Sequence, residues 1–395
     1  MTNLKEMLQP RLHAQSRQFF ALLGLTIVTV AIGLTMVASA SAVDAFKETS
    51  NAASIFLKQG GFAIIGLTLM LIISNLSMDF MRRFAMLGLA ITMGAQAATV
   101  VFGQEINGNR NWISIFGISL QPSEFLKVGV VLHVSVFLAA KVREHDLSAT
   151  WVRALGMMAL AMGLVMVGRD LGTVVIMFFM FVGLLTMAGL PMKLLRAIVV
   201  ITALATPILV TWGSGSRVGR IMAWLNPSAP DPNGYNWQSE HGMWAVSAGG
   251  IFGAGLGESK MKWSWIPEVE NDFIFAVIAE ELGLIGALVV IALFVALAFA
   301  FFRIWQRTSD DFSRYVVSGV MIWITMQALI NIAVVLRLLP VLGVPLPLSS
   351  AGGSSLIATL GAIGIVLAVE RENHANPLAG RQGRMPQTRQ LRRVR

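Results

Sequence analysis

The stretch that organises this chain is residues 267–286, which read PEVENDFIFAVIAEELGLIG. It begins as a polar loop, passes the carboxylate of Asp272 and continues as an apolar helix that carries Glu280 and Glu281. Carboxylates where a loop enters a membrane are costly unless they are paired or used, so the sequence predicts a polar cavity at this point. At least one of the two glutamates is expected to point inward and to pair inside the bundle.

The composition of the whole chain indicates a helical integral membrane protein. Its 395 residues are 55% hydrophobic and 13% charged, with a mean hydropathy of +0.70. Apolar runs of roughly 20 residues are typical of membrane helices, whereas the strands of a membrane barrel would alternate apolar and polar residues. The net charge of +9 is attributed to residues that set membrane topology, and nucleic-acid binding is not expected. The absence of cysteine excludes disulfides and thiolate chemistry.

The predicted fold is all-α, a polytopic membrane protein of about ten transmembrane helices with a long extracytoplasmic loop between helices 7 and 8. The spans are expected at about 19–42, 60–77, 83–103, 123–140, 151–168, 171–189, 193–212, 273–302, 315–337 and 349–369. Residues 1–18 form a cytoplasmic segment, 19–372 the membrane domain and 373–395 a basic, disordered cytoplasmic tail. Residues 38–42 resemble a signal-peptide cleavage site, but the first apolar run is too long for one, so an uncleaved helix is expected.

Basic residues set the expected orientation. Every segment assigned to the cytoplasm holds at least two Lys or Arg residues, so both termini are expected there. The external side then receives the loops at about 104–122 and 213–272 and the Pro/Gly/Ser-rich stretch 340–355. A loop of about sixty residues in a compact domain is more often functional than idle. Its tryptophans fit a segment along the membrane interface, and its glycine run at 249–257 is expected to let backbones pack closely.

Two acidic features of the external side leave alternatives open. Glu124 and Lys127 are three residues apart and share a helix face. They could form a self-neutralising anchor or a charged wall of an external cavity. Asp170, between two apolar spans, is suited to cap the second span, and it could also line the cavity or fix Lys127 or Arg110.

The remaining candidates concern catalysis and anion binding. Asp272 directly precedes an apolar helix, so an N-cap and a catalytic role are both open. The five histidines show no metal-ligand spacing, and no Ser/His/Asp signature is present, so any acid–base chemistry falls to carboxylates. Arg217 and Arg220 are candidates for a diphosphate clamp, because guanidinium forks match phosphate oxygens, and Arg110 could add a further cation.

Six ordered blocks resemble the SEDS family (shape, elongation, division and sporulation proteins), the peptidoglycan polymerases typified by RodA and FtsW. The resemblance extends from roughly the first span to the tenth. The blocks are NGNRNWISIFGISLQPSEFLK (107–127), RDLGT (169–173), RVGRIMAWLNP (217–227), GGIFGAGLG (249–257), PEVENDFIFAVIAEELGLIG (267–286) and PLPLSSAGGSSL (345–356).

This resemblance implies polymerisation of lipid II, the undecaprenyl-diphosphate-linked disaccharide-pentapeptide, on the outer face of the bacterial cytoplasmic membrane. It assigns the catalytic role to Asp272 and maps further family positions onto Glu124, Lys127 and Asp170. It also implies a class B penicillin-binding transpeptidase and other division proteins as partners. No cofactor follows with certainty, and participation of a divalent metal stays open.

The implied reaction is an inverting glycosyl transfer. A sugar hydroxyl would attack the anomeric carbon of the donor, and a carboxylate would take the hydroxyl proton. Cations would stabilise the charge that grows on the departing lipid diphosphate, and the nominated residues are Arg110, Lys127, Arg217 and Arg220.

The sequence departs from the family pattern at three places. Glu270-Asn271 replace the usual His-Thr before the catalytic aspartate, and the glutamate is expected to raise the pKa of Asp272. Arg169 replaces a usual Pro, and Ala351 replaces a usual Tyr, which favours the division branch (FtsW) over an elongation-type RodA. Alternatives to a division polymerase are an elongation-type polymerase, a lipid II transporter (flippase) and a division scaffold that recruits a transpeptidase.

Overall fold

The computed structural model describes residues 15–106, 109–115, 118–141, 147–211, 215–229, 231, 233–260, 262–263 and 268–375. This part of the chain forms twelve helices and three short strands. In chain order they are α1 (Arg17–Thr49), α2 (Ser54–Ser74), α3 (Met78–Phe102), β1 (Gln104–Ile106), β2 (Asn109–Ile115), β3 (Ile118–Leu120), α4 (Pro122–Lys141), α5 (Leu147–Val167), α6 (Leu171–Met187), α7 (Met192–Thr211), α8 (Gly215–Leu225), α9 (Trp237–Gly249), α10 (Ile274–Arg307), α11 (Asp311–Val335) and α12 (Gly353–Ala375).

Ten of these helices fall at the ten predicted spans. Seven of them, α1 to α4 and α10 to α12, are long and apolar enough in their described parts to cross a membrane. Residues Trp151–Val167 of α5 and the whole of α6 form shorter apolar helices, and α7 is a 20-residue helix that contains Pro207. The predicted polytopic helical fold is therefore confirmed. α12 continues to Ala375, so the first residues assigned to the tail are helical, and residues 376–395 lie outside the described part.

α12 is buried along nearly its whole length and packs closely on α2. A methyl group built on Gly364 of α12 would lie 2.6 Å from the carbonyl oxygen of Met70 on α2, and one on Gly66 of α2 would lie 2.6 Å from Leu360. Helices in lipid gain little from hydrophobic burial against each other, so small residues that permit close backbone contact stabilise such a pair. α12 thereby forms the centre of the bundle.

The segments that the sequence assigned to the external side contain more regular structure than loops. The three short strands form a small antiparallel sheet in the order β1-β2-β3. The backbone amide of Arg110 on β2 donates a hydrogen bond to the carbonyl of Gly168, 2.9 Å away. The long segment after α7 contains the helices α8 and α9. The three strands were not predicted from the sequence, since strands as short as β1 and β3, of three residues each, leave no alternating pattern.

The glycine run packs against a break in α10. Gly283 has φ 67° and ψ −167°, which interrupts the helix. The amides of Ala254 and Gly255 donate to the carbonyls of Glu280 and Glu281, at 2.9 and 3.0 Å. A methyl group on Gly253 would lie 2.1 Å from the Glu281 carbonyl oxygen, so only glycine fits. The expected close backbone approach is confirmed.

The side chains of Glu280 and Glu281 both point inward and are 1% exposed. Glu280 accepts hydrogen bonds from the hydroxyl of Ser259 and from the amide of Lys260, the latter at 2.9 Å. Glu281 accepts from the hydroxyl of Ser39 on α1 at 2.6 Å. The expectation of inward pairing is confirmed for both carboxylates, with hydroxyl and amide donors as the partners. The hydrogen bonds of the two glutamates thus hold two elements against α10: the segment that follows the glycine run, and α1.

Candidate functional site

Asp272 lies in the turn that leads into α10, and its backbone is fixed while its carboxyl group accepts no hydrogen bond from the described residues. The side chain of Asn331 on α11 donates to the carbonyls of Asp272 and Val344, at 2.8 and 2.7 Å. The N-cap of α10 is Phe273, and no side chain caps the helix. Within the part of the chain that the structure describes, nothing donates a hydrogen bond to the Asp272 carboxylate. The N-cap interpretation of Asp272 is therefore wrong.

The environment of Asp272 raises its pKa to about 7. Burial of the carboxyl group is the largest cause, since it disfavours the charged form, and the negative charge of Glu268 adds to it. Arg220 opposes the shift, whereas Asp170 and Glu270 increase it slightly. The predicted effect of Glu270 is thus present but smaller than that of Glu268. The Asp272 carboxyl group therefore titrates far closer to neutral pH than an ordinary aspartate does.

Asp272 opens into a polar cavity of about 250 Å³. Segments that are distant in sequence meet there: β2, the start of α4, α8, α9, and the stretches before α10 and α12. The lining residues are Asn109, Asn111, Trp112, Gln121, Asp170, Arg220, Gln238, Glu268, Asn271, Asp272, Val341, Gly343, Pro345, Ala351, Gly352 and Ser355. A smaller recess of about 70 Å³ shares Asp170 and Arg220 with it and adds Arg169 and Arg217. The two form one cleft, with three carboxylates lining the main chamber and three arginines lining the recess.

Helix α8 supplies two of the cations. Arg217 and Arg220 are three residues apart and therefore share a face of α8. Gly219 allows this helix to approach the aromatic ring of Tyr235, because a methyl group there would lie 2.2 Å from a ring carbon. Arg217 donates to the carbonyl of Arg169. Arg220 lines both parts of the cleft and, among the described residues, makes no hydrogen bond or ion pair. A guanidinium in this state is ready to bind an anionic ligand.

Asp170 caps α6 and also lines the cleft, so both interpretations left open by the sequence describe it. Its carboxylate accepts from the amide and the hydroxyl of Thr173, at 2.9 and 2.7 Å, and from the side-chain amide of Gln121 at 2.9 Å. Burial raises the pKa of Asp170, and the hydrogen bonds from Thr173 oppose that shift. Its predicted contacts with Lys127 or Arg110 do not form within the described residues.

Glu124 and Lys127 form the predicted ion pair, with the Lys127 Nζ 2.9 Å from Glu124 Oε1. Their side chains are 3% and 1% exposed, and neither lines the cleft. Lys127 also donates to Gln327 at 3.1 Å and lies 4.5 Å from the ring centroid of Trp323. Gln327 in turn donates to the carbonyl of Pro345, a cleft residue, at 3.0 Å. The pair lies behind the cleft lining and contacts it through Gln327. It is therefore the self-neutralising anchor of the two alternatives and does not form a charged wall of the cavity.

Arg110 does not enter the cleft. Side chains alternate between the two faces of a strand, and its neighbours on β2, Asn109 and Asn111, are the ones that line the cavity. Arg110 is exposed and donates to the carbonyl of Val100 at the end of α3, 3.3 Å away. Since the strand was not predicted, its two faces could not be assigned from the sequence.

The sequence interpretation missed a row of polar residues on α11. Trp323, Gln327 and Asn331 follow each other at four-residue intervals, lie on one helix face and are buried. Through them α11 contacts Lys127 and the backbone of Asp272. Polar side chains at helical spacing inside a membrane span are a usable signal, because such residues seldom face lipid.

A metal ion held by protein ligands alone does not fit the described residues. Asp170, Glu268 and Asp272 all line the cavity, but the described part of the chain contains no group of three or more His, Cys, Asp or Glu residues able to hold an ion. No chemical step is therefore assigned to a metal.

Comparisons with known proteins give a consistent result. The model of the FtsW/RodA/SpoVE family, described as "Cell cycle protein", matches residues 19–375. A probable peptidoglycan glycosyltransferase FtsW from Mycobacterium tuberculosis (strain ATCC 25618 / H37Rv) is 37% identical over 379 residues, which are 95% of this chain and 72% of the relative. Stage V sporulation protein E of Bacillus subtilis (strain 168) is 35% identical over 350 residues, 88% of this chain and 95% of its own.

Solved structures share the fold. The rod shape determining protein RodA of Thermus thermophilus has a TM-score of 0.68 at 26% identity, covering 92% of this chain and 99% of its own. A chain from a structure of a peptidoglycan synthase complex, described in terms of coordinated polymerization and crosslinking, has a TM-score of 0.71 at 26% identity and covers 91% and 99%. The chain therefore belongs to the FtsW/RodA/SpoVE family, the SEDS family of multi-pass membrane proteins.

Proposed function

We propose that this protein is a peptidoglycan glycosyltransferase of the division branch, which polymerises lipid II into glycan strands and releases undecaprenyl diphosphate. The single observation that carries the proposal is the Asp272 carboxyl group, which has no hydrogen bond within the described residues, has a pKa of about 7 and lies in a polar cleft with Arg220. A general base is most effective when its pKa lies near the working pH. The relatives named as FtsW glycosyltransferases support the same activity.

In the proposed reaction, the Asp272 carboxylate takes the proton of an acceptor sugar hydroxyl as its oxygen attacks the anomeric carbon of the donor. The bond from that carbon to the lipid diphosphate breaks, and the electron pair leaves with the diphosphate. Single displacement inverts the configuration, as in inverting glycoside hydrolysis. Arg220 and Arg217 would bind the departing diphosphate and stabilise its charge. Asp170 fixes the N-terminus of α6 and the side chain of Gln121 next to these two arginines.

Topology and partners follow from the same proposal. Both termini are placed in the cytoplasm, and the cleft opens on the outer side of the cytoplasmic membrane, in agreement with the distribution of basic residues. A class B penicillin-binding transpeptidase is the proposed partner, in line with the similarity to a chain of a peptidoglycan synthase complex. Glu124 and Lys127 contribute by holding α4 and α11 in position. Arg110 is not assigned to substrate binding, because it lies outside the cleft.

The direct test is polymerisation of purified lipid II by the full chain with its transpeptidase partner, followed on a glycan-strand gel. Long strands that carry the inverted linkage are expected. A folded complex that moves lipid II across vesicle membranes without forming strands would replace the proposal with transport. A complex that does neither would favour a scaffold role.

The rate of polymerisation is expected to depend on pH through Asp272. Because its pKa is raised to about 7, the active carboxylate is lost as pH falls through 7, and the rate should decline about tenfold per pH unit below that point. Single-turnover rates between pH 5.5 and 8.5 measure this. A rate that stays constant from pH 8.5 down to pH 5.5, as expected if the base titrated near pH 4 like an ordinary aspartate, would contradict the assignment.

Arg220→Ala is expected to lower kcat/KM for lipid II by about 10²-fold, because a charge-stabilising group is lost. It should also shift the pH inflection upward, since the positive charge of Arg220 lowers the pKa of Asp272. Arg220→Lys should restore the inflection but only part of the rate, because a lysine keeps the charge without the bidentate fork. Arg196→Gln, on the exposed face of α7, is the matched control and should change neither quantity.

A further inference from the structure

A second cavity, of about 450 Å³, lies between α1 and α10 at the end of the bundle away from Asp272. Its lining is apolar along its length, formed by Ala21, Leu25, Ala296, Phe299 and Ala300. Three arginines stand at one end of it, namely Arg17 on α1 and Arg303 and Arg307 on α10, with Gln18 beside them. Since α10 begins directly after Asp272 and ends at Arg307, this cavity is separate from the catalytic cleft.

The length of this groove corresponds to one leaflet of a bilayer. The lining residues span 17–25 on α1 and 296–307 on α10, which are about 12 and 16 Å of helix at 1.5 Å per residue. The hydrocarbon core of a bilayer is about 30 Å thick, so the groove follows about half of it. The arginines then lie at the level of the lipid headgroups.

The open end of the groove carries excess positive charge, since three arginines meet one ion-pairing acid, Glu370, among the described residues. Arg17, Arg303 and Arg307 are exposed, and the Arg303 guanidinium lies 4.9 Å from the ring centroid of Phe299. Arg307 donates to Gln18 at 2.8 Å and lies 3.9 Å from Glu370. Glu370 is 1% exposed and accepts the hydroxyl of Ser16, so it does not face the groove. None of the described lining residues is acidic.

We propose that this groove binds an anionic phospholipid, with one acyl chain along the alanine-lined surface of α1 and α10 and the phosphate held by the three arginines. Basic pockets between membrane helices favour such headgroups, and the apolar floor matches an acyl chain. The terminal segments of this chain are poor alternative ligands for the groove, because they lack the negative charge that the three arginines would bind. Residues 1–14 carry two basic residues and one acid, and residues 376–395 carry six arginines and no acid. This site concerns neither the donor nor the acceptor of the transferase reaction.

The test is lipid binding by the full-length protein, delipidated in detergent and titrated with phosphatidylglycerol or phosphatidylethanolamine under native mass spectrometry. One tightly bound phosphatidylglycerol is expected, with at least tenfold weaker binding of the zwitterionic lipid. Arg303→Gln with Arg307→Gln should weaken that binding by more than tenfold, since each basic residue near the surface contributes about a fivefold factor. Arg83→Gln, an exposed arginine at the start of α3 and outside the groove, should leave it unchanged.

A second variant tests the acyl-chain part independently of charge. Ala296→Phe fills the groove while all three arginines remain, and it should also weaken phosphatidylglycerol binding, with the melting temperature used to show that the protein is folded. Equal binding of both lipids, or no effect of the double arginine variant, would overturn the proposal. An effect of the arginines combined with full binding by Ala296→Phe would also overturn it, because the protein would then attract only headgroups at its surface.

Discussion

Asp272→Asn is expected to reduce lipid II polymerisation by on the order of 10²–10⁴-fold, the usual contribution of a general base. The asparagine side chain is nearly isosteric but cannot take the proton of the attacking hydroxyl. Binding of lipid II should persist, because Arg217 and Arg220 still line the cleft. Strand gels under single-turnover conditions and a direct lipid-binding measurement give the two quantities separately. Wild-type rates in the variant would remove Asp272 from the mechanism.

The same variant should be folded, and its stability provides the control. The folded-state pKa of Asp272 is raised to about 7 from an ordinary value near 4, so its ionisation disfavours the folded state as pH rises through that window. Asp272→Asn removes this cost and should therefore melt at a higher temperature than the wild type at pH 8, with a clearly smaller difference at pH 5. A variant that melts below the wild type at pH 8 would show that Asp272 has a structural role.

Lys127→Met is expected to destabilise the protein strongly, by about 3–5 kcal/mol, because it leaves the buried Glu124 carboxylate without its counter-charge. Glu124→Gln should cost less, since Gln327 and the Trp323 ring continue to contact the Lys127 ammonium. The double variant should recover more than half of the loss caused by Lys127→Met. Thermal melting of the four proteins in one detergent measures this cycle.

Strict additivity of the two single changes would contradict the description of Glu124 and Lys127 as a coupled buried pair. Polymerisation by the folded double variant distinguishes support from direct participation. If the pair acts only through the packing of α4 against α11, the double variant should retain kcat within about tenfold of the wild type once it is folded. A loss comparable to that of Asp272→Asn would place the pair at the substrate.

The sequence was sufficient for features that depend on local physical constraints. A membrane helix must satisfy its backbone hydrogen bonds within one segment of about twenty apolar residues, so the ten spans could be read directly from the chain. The same reasoning placed at least one of Glu280 and Glu281 inside the bundle, because a lone carboxylate facing lipid is costly. It also made Asp170 a candidate helix cap, a position that aspartate favours. Six blocks of residues identified the family, and the resemblance made Asp272 the proposed catalytic residue.

Only the tertiary structure decided how these residues are used. From the sequence, Asp272 was equally suited to cap α10. In the structure Phe273 occupies the N-cap and Asn331 donates to the backbone carbonyl of Asp272, which leaves the Asp272 carboxyl group available. Strand alternation turns Arg110 away from the cleft, while α8 turns Arg220 into it. The pKa of Asp272 depends on burial and on charges from α8 and the preceding turn. Such effects arise from segments far apart in the chain, and their distances and desolvation exist only after the helices have packed.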